Sequence, residues 1–135
     1  MITVVAAAIV RGAPLRVLAA ERAYPAQLAG WWELPGGKVD EGEDEVSALH
    51  RECREEIGVD VEIGDRVGAD VAIADGSAVL KVWWASLVEG DPAPLEHASL
   101  RWLTADELDD VPWLPADLPV VEAIRAGLMF SRDHG

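Results

Sequence analysis

Glu52, Glu55 and Glu56 crowd into five consecutive positions of a segment that reads as one helix. Val46, Leu49, Cys53 and Ile57 recur at spacings of 3, 4 and 4, which makes a single apolar stripe. Gly58 stands where a helix beginning near Glu43 or Asp44 would end, since glycine is the usual residue just past a C-terminus. At about 100° per residue the three glutamates fall on one flank beside the stripe. Like charges spaced this way cost an exposed helix roughly a few tenths of a kcal/mol per pair. A bound divalent cation reverses the sign of that cost. Magnesium favours oxygen ligands, commonly takes one or two carboxylates, and completes its shell with water and phosphate oxygens. A solvated acidic face is the ordinary meaning of such a run. What favours a metal site is the company: Pro35-Gly36-Gly37 ahead of the helix and Arg51-Glu52 in register with it.

The neighbours of the glutamates suggest supporting roles. Gly36 and Gly37 follow Pro35 in what reads as a tight loop, because glycine permits backbone angles closed to other residues. Such a loop lets a backbone carbonyl approach the metal. Arg51 is placed to pair with Glu43 and hold the loop against the helix, a structural role. Lys38, beside the loop, is either a phosphate contact or a solvated surface lysine. Cys53 takes an apolar position, and an unpaired cysteine is often buried as a small hydrophobe, which argues against a catalytic thiol.

The spacing from Gly37 through Glu43 to Arg51-Glu52, Glu55-Glu56 and Gly58-Val59 resembles the signature of the Nudix hydrolases, with every specified position filled. The resemblance implies an α/β/α sandwich with a mixed sheet. It also implies a magnesium-dependent enzyme, with manganese as a substitute, that cleaves a nucleoside diphosphate linked to another group. By the same resemblance the metal set is Gly37, Glu52, Glu55, Glu56 and Glu96, and one of the glutamates is the general base. Outside this box, Ala20-Glu21-Arg22, Leu28 to Lys38, Leu100 to Leu103 and Trp113 to Pro119 resemble the MutT-type branch, which converts nucleoside triphosphates to the monophosphate and pyrophosphate. Within it the chain is most similar to bacterial CTP/dCTP-type pyrophosphohydrolases. That likeness places Arg22 on the substrate and Asp117 on the base. An ionised aspartate only accepts hydrogen bonds, which suits the exocyclic amino group of cytosine. Cytosine nucleotides are therefore the expected substrate, with 8-oxo-dGTP as the alternative. Less favoured are another diphosphate such as ADP-ribose and a non-catalytic ligand sensor. Asp117 just before Leu118-Pro119 is also a good helix N-cap. His97, beside Glu96, is a candidate proton relay, although a loop histidine is more often without such a role.

The chain as a whole bounds the partners. At 135 residues, half of them hydrophobic, it reads as one unit with a real core. The formal charge of −14 repels a polyphosphate backbone, so duplex DNA and RNA are not expected partners. A small nucleotide accompanied by magnesium is compatible, because the metal supplies positive charge. No apolar stretch is long enough to span a membrane. The apolar start, Met1 to Val10, lacks a basic leader and reads as a first strand. A single cysteine forms no internal disulfide and fits a cytoplasmic protein. Both a monomer and a homodimer are compatible.

The elements that must position these residues alternate mostly strands with two helices. Thr3 to Val10 and Leu15 to Arg22 read as an antiparallel pair across Arg11-Gly12-Ala13-Pro14. Trp31 to Leu34 reads as a short strand into the glycine loop. Val59 to Ile63 and Arg66 to Ala74 read as strands, and Asp75-Gly76 as a turn. Ala78 to Val88 is too densely apolar for simple alternation and is expected at the centre of the sheet. Ser99 to Leu103 is a further strand, and Thr104 to Glu107 a capping box. The last helix is expected from about Leu118 to Leu128, burying Val120, Val121, Ile124 and Leu128. Six tryptophans could each stack on a base, but most are expected in the core.

Overall fold

The computed structural model describes the backbone of residues 1–134 and the side chains of residues 1–130; Gly135 lies outside the described residues. In chain order the elements are β1 (Ile2–Arg11), β2 (Arg16–Arg22), β3 (Trp32–Glu33), β4 (Gly36–Lys38), α1 (Glu45–Ile57), β5 (Asp60–Arg66), β6 (Val71–Ile73), β7 (Ala78–Glu89), β8 (His97–Leu103) and α2 (Leu118–His134).

β1 organises the rest. It runs parallel to β7 from Ile2 opposite Ala78 to Ile9 opposite Ala85, and pairs antiparallel with β4 and, at its far end, with β2. β3 and β8 both pair with β2, while β5 and β6 pair with β7. The sheet is therefore mixed. β1 is buried on both faces, as its unbroken apolar run requires. Val5, Ala7 and Ile9 pack with Leu49, Cys53 and Ile57 of α1, and Ala6 and Ala8 belong to a second core with Val120, Val121, Ile124 and Leu128 of α2. One helix on each face gives the expected α/β/α layers. No helix among the described residues is long and apolar enough to cross a membrane.

Three local expectations need correction. Val46 is 41% exposed, and Ala48 takes its place in the buried face of α1. Val46 lies in the first helical turn, beside Thr3 and Val39 at the surface. The expected strand from Arg66 to Ala74 is broken: β5 runs on to Arg66, and Gly68 turns the chain at φ +62° before β6. Gly36 and Gly37 form a strand rather than a loop, and neither has a positive φ. Their need for glycine is one of space. A Cβ on Gly36 would lie 2.0 Å from the Val5 carbonyl oxygen, and one on Gly37 would lie 2.5 Å from the Glu52 carboxylate.

Candidate active site

α1 is set by its ends. The Asp44 carboxylate accepts from Ser47 N–H at 2.8 Å, and Gly58 closes the helix at φ 71°. With the Leu49–Cys53–Ile57 face locked into the core, the acidic flank is obliged to lie along the edge of β4. Its three glutamates are not equivalent. Glu56 is 6% exposed at the side chain, Glu52 14% and Glu55 54%.

Arg51 ties this flank to the strand before it. Nε donates to Glu43 at 2.9 Å, Nη1 to Glu52 at 2.8 Å and to Glu55 at 3.2 Å, and Nη2 to the Lys38 carbonyl at 3.1 Å. The Glu43 bond, then the Glu52 bond, raise the Arg51 pKa above its already high ordinary value, and the same Arg51 bond lowers that of Glu43. The structural pairing of Arg51 with Glu43 expected from the sequence is present. Cys53 is buried, and burial pushes its thiol up to about 12, so it is an inert core group.

A cavity of about 350 Å³ opens against β4 and the acidic flank. It brings together Arg22, Gly37, Lys38, Glu52, Glu56, Glu96 and Asp117 from the sequence-predicted set. Glu55 is not among the lining residues; its carboxylate is held by Arg51 on the outside. The cavity adds three groups that sequence reasoning passed over or undervalued: Glu33, Tyr24 and His97. His97 is on β8, not in a loop, and its side chain is 5% exposed. Its Nε2 lies 3.0 Å from Glu33 and 3.6 Å from Glu56, while Nδ1 is buried with no hydrogen-bond partner among the described residues. A relay needs a partner on both nitrogens, and no described residue supplies the second. None of the six tryptophans lines the cavity. Trp32, Trp83 and Trp113 are core, and Tyr24 is the aromatic ring at the cavity wall. The signal for Glu33 was its position directly before Leu34-Pro35-Gly36-Gly37 at the end of a strand.

The electrostatics of the cavity are unusual. Burial pushes the Glu56 carboxyl well above the ordinary carboxylate range, helped by a hydrogen bond from the shared proton with Glu52 and by the charges of Glu52, Glu33 and Glu96. Such a site concentrates carboxylate oxygens that cannot all ionise unless a cation neutralises them. The ligand atoms of Glu33, Glu56 and His97 already lie within 4.8 Å of one another, and Glu52 joins through its bond to Glu56. Glu33 is already engaged by Arg22 and His97, so the carboxylate oxygens free to meet a hard divalent ion in this group are those of Glu56 and Glu52. Gly37, with no side chain to displace Glu52, leaves the room such an ion needs.

Asp117 is positioned from far along the chain. Trp32 N–H donates to the Pro112 carbonyl at 2.9 Å and Leu114 N–H to the Trp32 carbonyl at 2.8 Å, which pins the 112–114 segment to β3. A 3-10 turn, Pro115–Asp117, then delivers the Asp117 carboxyl to Leu34 N–H at 3.0 Å. That bond spans 83 positions. Asp117 is 7% exposed, and burial, opposed by the Leu34 bond and assisted by the charge of Glu33, raises its carboxyl to about 7. A folded-state pKa above the unfolded value means that stability is lost as pH rises between the two. The loss runs from about pH 4 to about pH 7, and at about 1.4 kcal/mol per pH unit it is roughly 4 kcal/mol. Asp117→Asn keeps the acceptor for Leu34 and removes the titration. In thermal unfolding of the metal-free protein, the variant is expected to gain on the natural chain steadily over that window and then hold its lead. Parallel curves would rule out the buried titration.

Comparison with known proteins agrees with this geometry. The NUDIX domain profile matches residues 1–124. The chain is 51% identical over 117 residues to "Putative 8-oxo-dGTP diphosphatase 2" of Mycobacterium tuberculosis, covering 84% of this chain and 81% of that protein. It is 37% identical over 127 residues to the "CTP pyrophosphohydrolase" of Escherichia coli, covering 93% of each. The solution structure of the E. coli ORF135 protein superimposes with a TM-score of 0.77 at 35% identity, over 93% of this chain and 89% of that one. A profile spanning most of the chain, relatives matched along nearly its whole length and a shared fold make one assignment: the chain belongs to the Nudix family and is a Nudix hydrolase.

Proposed function

We propose that the protein hydrolyses a nucleoside triphosphate to the monophosphate and pyrophosphate, with magnesium, or manganese in its place, as the cofactor. The observation that carries this reading is the cavity itself. It joins the buried Glu56 and its partly buried neighbour Glu52 to a buried aspartate that can meet a base. Glu52 and Glu56 would hold the ion, with the Gly37 carbonyl and Glu96 completing the protein's share inside the cavity; Glu55, paired with Arg51 outside it, would join only on leaving that pair. When bound, it supplies positive charge against the phosphates and lowers the pKa of water. Lys38 and Arg22 line the same cavity and would meet phosphate or base. Water adds to the β-phosphorus, the bond from that phosphorus to the α-bridging oxygen breaks, and a carboxylate of Glu52, Glu56 or Glu96 takes the water's proton. The nucleoside monophosphate leaves with the bridging oxygen. A cytoplasmic nucleotide pool is the setting that fits such a reaction.

Asp117 supports two base readings. Ionised, it accepts from the cytosine amino group, which favours CTP or dCTP and matches the name of the 37% identical relative. With its carboxyl raised to about 7, the protonated form is also present near neutrality and can donate to a base carbonyl. That second form suits 8-oxo-dGTP, the compound in the name of the 51% identical relative, and we place it first. The test is pyrophosphate release in magnesium from CTP, dCTP, 5-methyl-dCTP, dGTP, 8-oxo-dGTP, ATP and ADP-ribose. Fastest turnover of 8-oxo-dGTP is expected. A clear cytosine preference would restore the ionised reading of Asp117, and activity on ADP-ribose alone would overturn the triphosphate reaction.

A further inference from the structure

Glu33 joins the cavity's arginine to its buried histidine. Its carboxylate accepts from Arg22 Nη1 at 3.1 and 3.2 Å, and lies 3.0 Å from His97 Nε2. Placing the ring proton on Nε2 gives it an acceptor, and Nδ1 then needs no donor's share of a bond. His97 is therefore a fixed support: its side chain is 5% exposed and its contact with Glu33 spans 64 positions, from β8 to β3. A negative charge in a cavity built for phosphates needs a compensating use, and the geometry supplies one. Arg22 Nε and Nη2 donate to the Tyr24 carbonyl at 3.2 and 2.9 Å, only two residues away, while Nη1 is held by Glu33. A guanidinium carries five N–H donors in a rigid planar fork. At least three are committed, so at most two remain for a ligand, and the plane of the fork decides where they aim. Tyr24 alone is a local contact made by Arg22's own stretch of chain. Glu33 is the tie to the rest of the protein.

We propose that Glu33 is a positioning residue: its carboxylate, backed by the His97 ring, holds the Arg22 guanidinium in the orientation in which the nucleotide meets it. This rests on the reading of Arg22 as a nucleotide contact. Its consequence falls on binding, because the cost of ordering Arg22 is met in the free protein instead of on association.

The experiment is steady-state kinetics in magnesium, with 8-oxo-dGTP and CTP, of the natural protein, Arg22→Ala, Glu33→Ala, Glu33→Asp, Glu33→Gln and Arg22→Ala/Glu33→Ala. Glu33→Ala is expected to raise KM by roughly 3- to 10-fold, the ordering cost of one long side chain, and to change kcat little. Glu33→Asp keeps the charge but falls one methylene short of bridging both partners, and is expected to raise KM similarly; it carries the test should the alanine variant not fold. Glu33→Gln loses the charge but keeps an oxygen that both partners can reach, and is expected to lie nearer the natural chain. The double variant is expected to match Arg22→Ala, since Glu33 has nothing left to position. If Arg22→Ala raises KM while Glu33→Ala and Glu33→Asp do not, the positioning role is wrong and the contact stands. Glu33→Gln as damaged as Glu33→Ala, or multiplying losses in the double variant, would also overturn it. If Arg22→Ala leaves KM unchanged, the nucleotide contact falls first and the proposal with it.

Discussion

Glu56→Gln should fold at least as well as the natural chain and yet lose nearly all hydrolysis. The two halves of that result have one cause. In the metal-free protein Glu56 is 6% exposed, and its carboxyl sits well above the ordinary range because burial and the neighbouring Glu52, Glu33 and Glu96 disfavour its charge. A raised folded-state pKa makes ionisation a cost to the folded state, growing as pH rises above the ordinary carboxylate value. Glutamine has the same shape and donates to Glu52 as the protonated acid does, so it removes the cost and keeps the contact. What it cannot do is become a carboxylate when a cation enters. The charge stabilisation at stake is several kcal/mol, and about 4 kcal/mol corresponds to roughly a thousandfold in rate. Thermal unfolding and pyrophosphate release, measured on the same sample at neutral pH, check both halves. A variant with near-normal turnover and unchanged magnesium dependence would remove Glu56 from the metal site. A variant with a much lower unfolding temperature would show that the site had been read as too strained.

Alanine at Gly36 and at Gly37 should fail in different ways, although the two residues are adjacent on one short strand. At Gly36 the new Cβ would sit 2.0 Å from the Val5 carbonyl oxygen and 2.6 Å from the Ala6 Cα. Both are backbone atoms of β1, a strand buried on both faces, so nothing nearby yields cheaply. The pairing of β4 with β1 must open, at a cost at or above the usual 1–3 kcal/mol or so of overpacking. Gly36→Ala is therefore expected to lower the unfolding temperature markedly, by roughly 3–4 °C per kcal/mol for a chain of 135 residues. At Gly37 the obstacle is the Glu52 carboxylate, 2.5 Å away and at the end of a side chain that can swing. Gly37→Ala should stay folded and instead weaken magnesium activation, because Glu52 is pushed off its place between Arg51 and Glu56. Unfolding curves and magnesium titrations of activity for both variants make the comparison. Equal losses of stability would mean that the close approach of β4 to α1 is as rigid as its approach to β1.

Whatever depends on neighbours along the chain is legible in the residues alone. Asp44 and Gly58 mark the ends of α1 because capping bonds reach only three or four residues. Val120, Val121, Ile124 and Leu128 mark the buried face of α2 because helical period alone places them together. The run from Ala78 announces a central strand because both of its faces are covered as far as Ala85. The three glutamates and the Arg51–Glu43 pair belong to the same class: local spacing puts them on one flank. Val46 shows where period stops being enough, since the stripe continues past the ground that the sheet covers.

What crosses between elements comes from packing instead. Spacing makes Glu52, Glu55 and Glu56 look equivalent, but packing buries Glu56, covers most of Glu52 in the cavity wall and leaves Glu55 to Arg51 outside. Two glycines read as freedom of backbone angle turned out to be an absence of side chain, because the atoms they make room for come from β1 and α1. His97 reaches Glu33 across 64 positions, and Asp117 reaches Leu34 across 83. Such contacts leave no periodic trace in the chain. They exist because β2 pairs with both β3 and β8, and because the stretch before α2 is pinned to Trp32. Burial follows from that assembly, and with it the upward push on the carboxyls of Glu56 and Asp117.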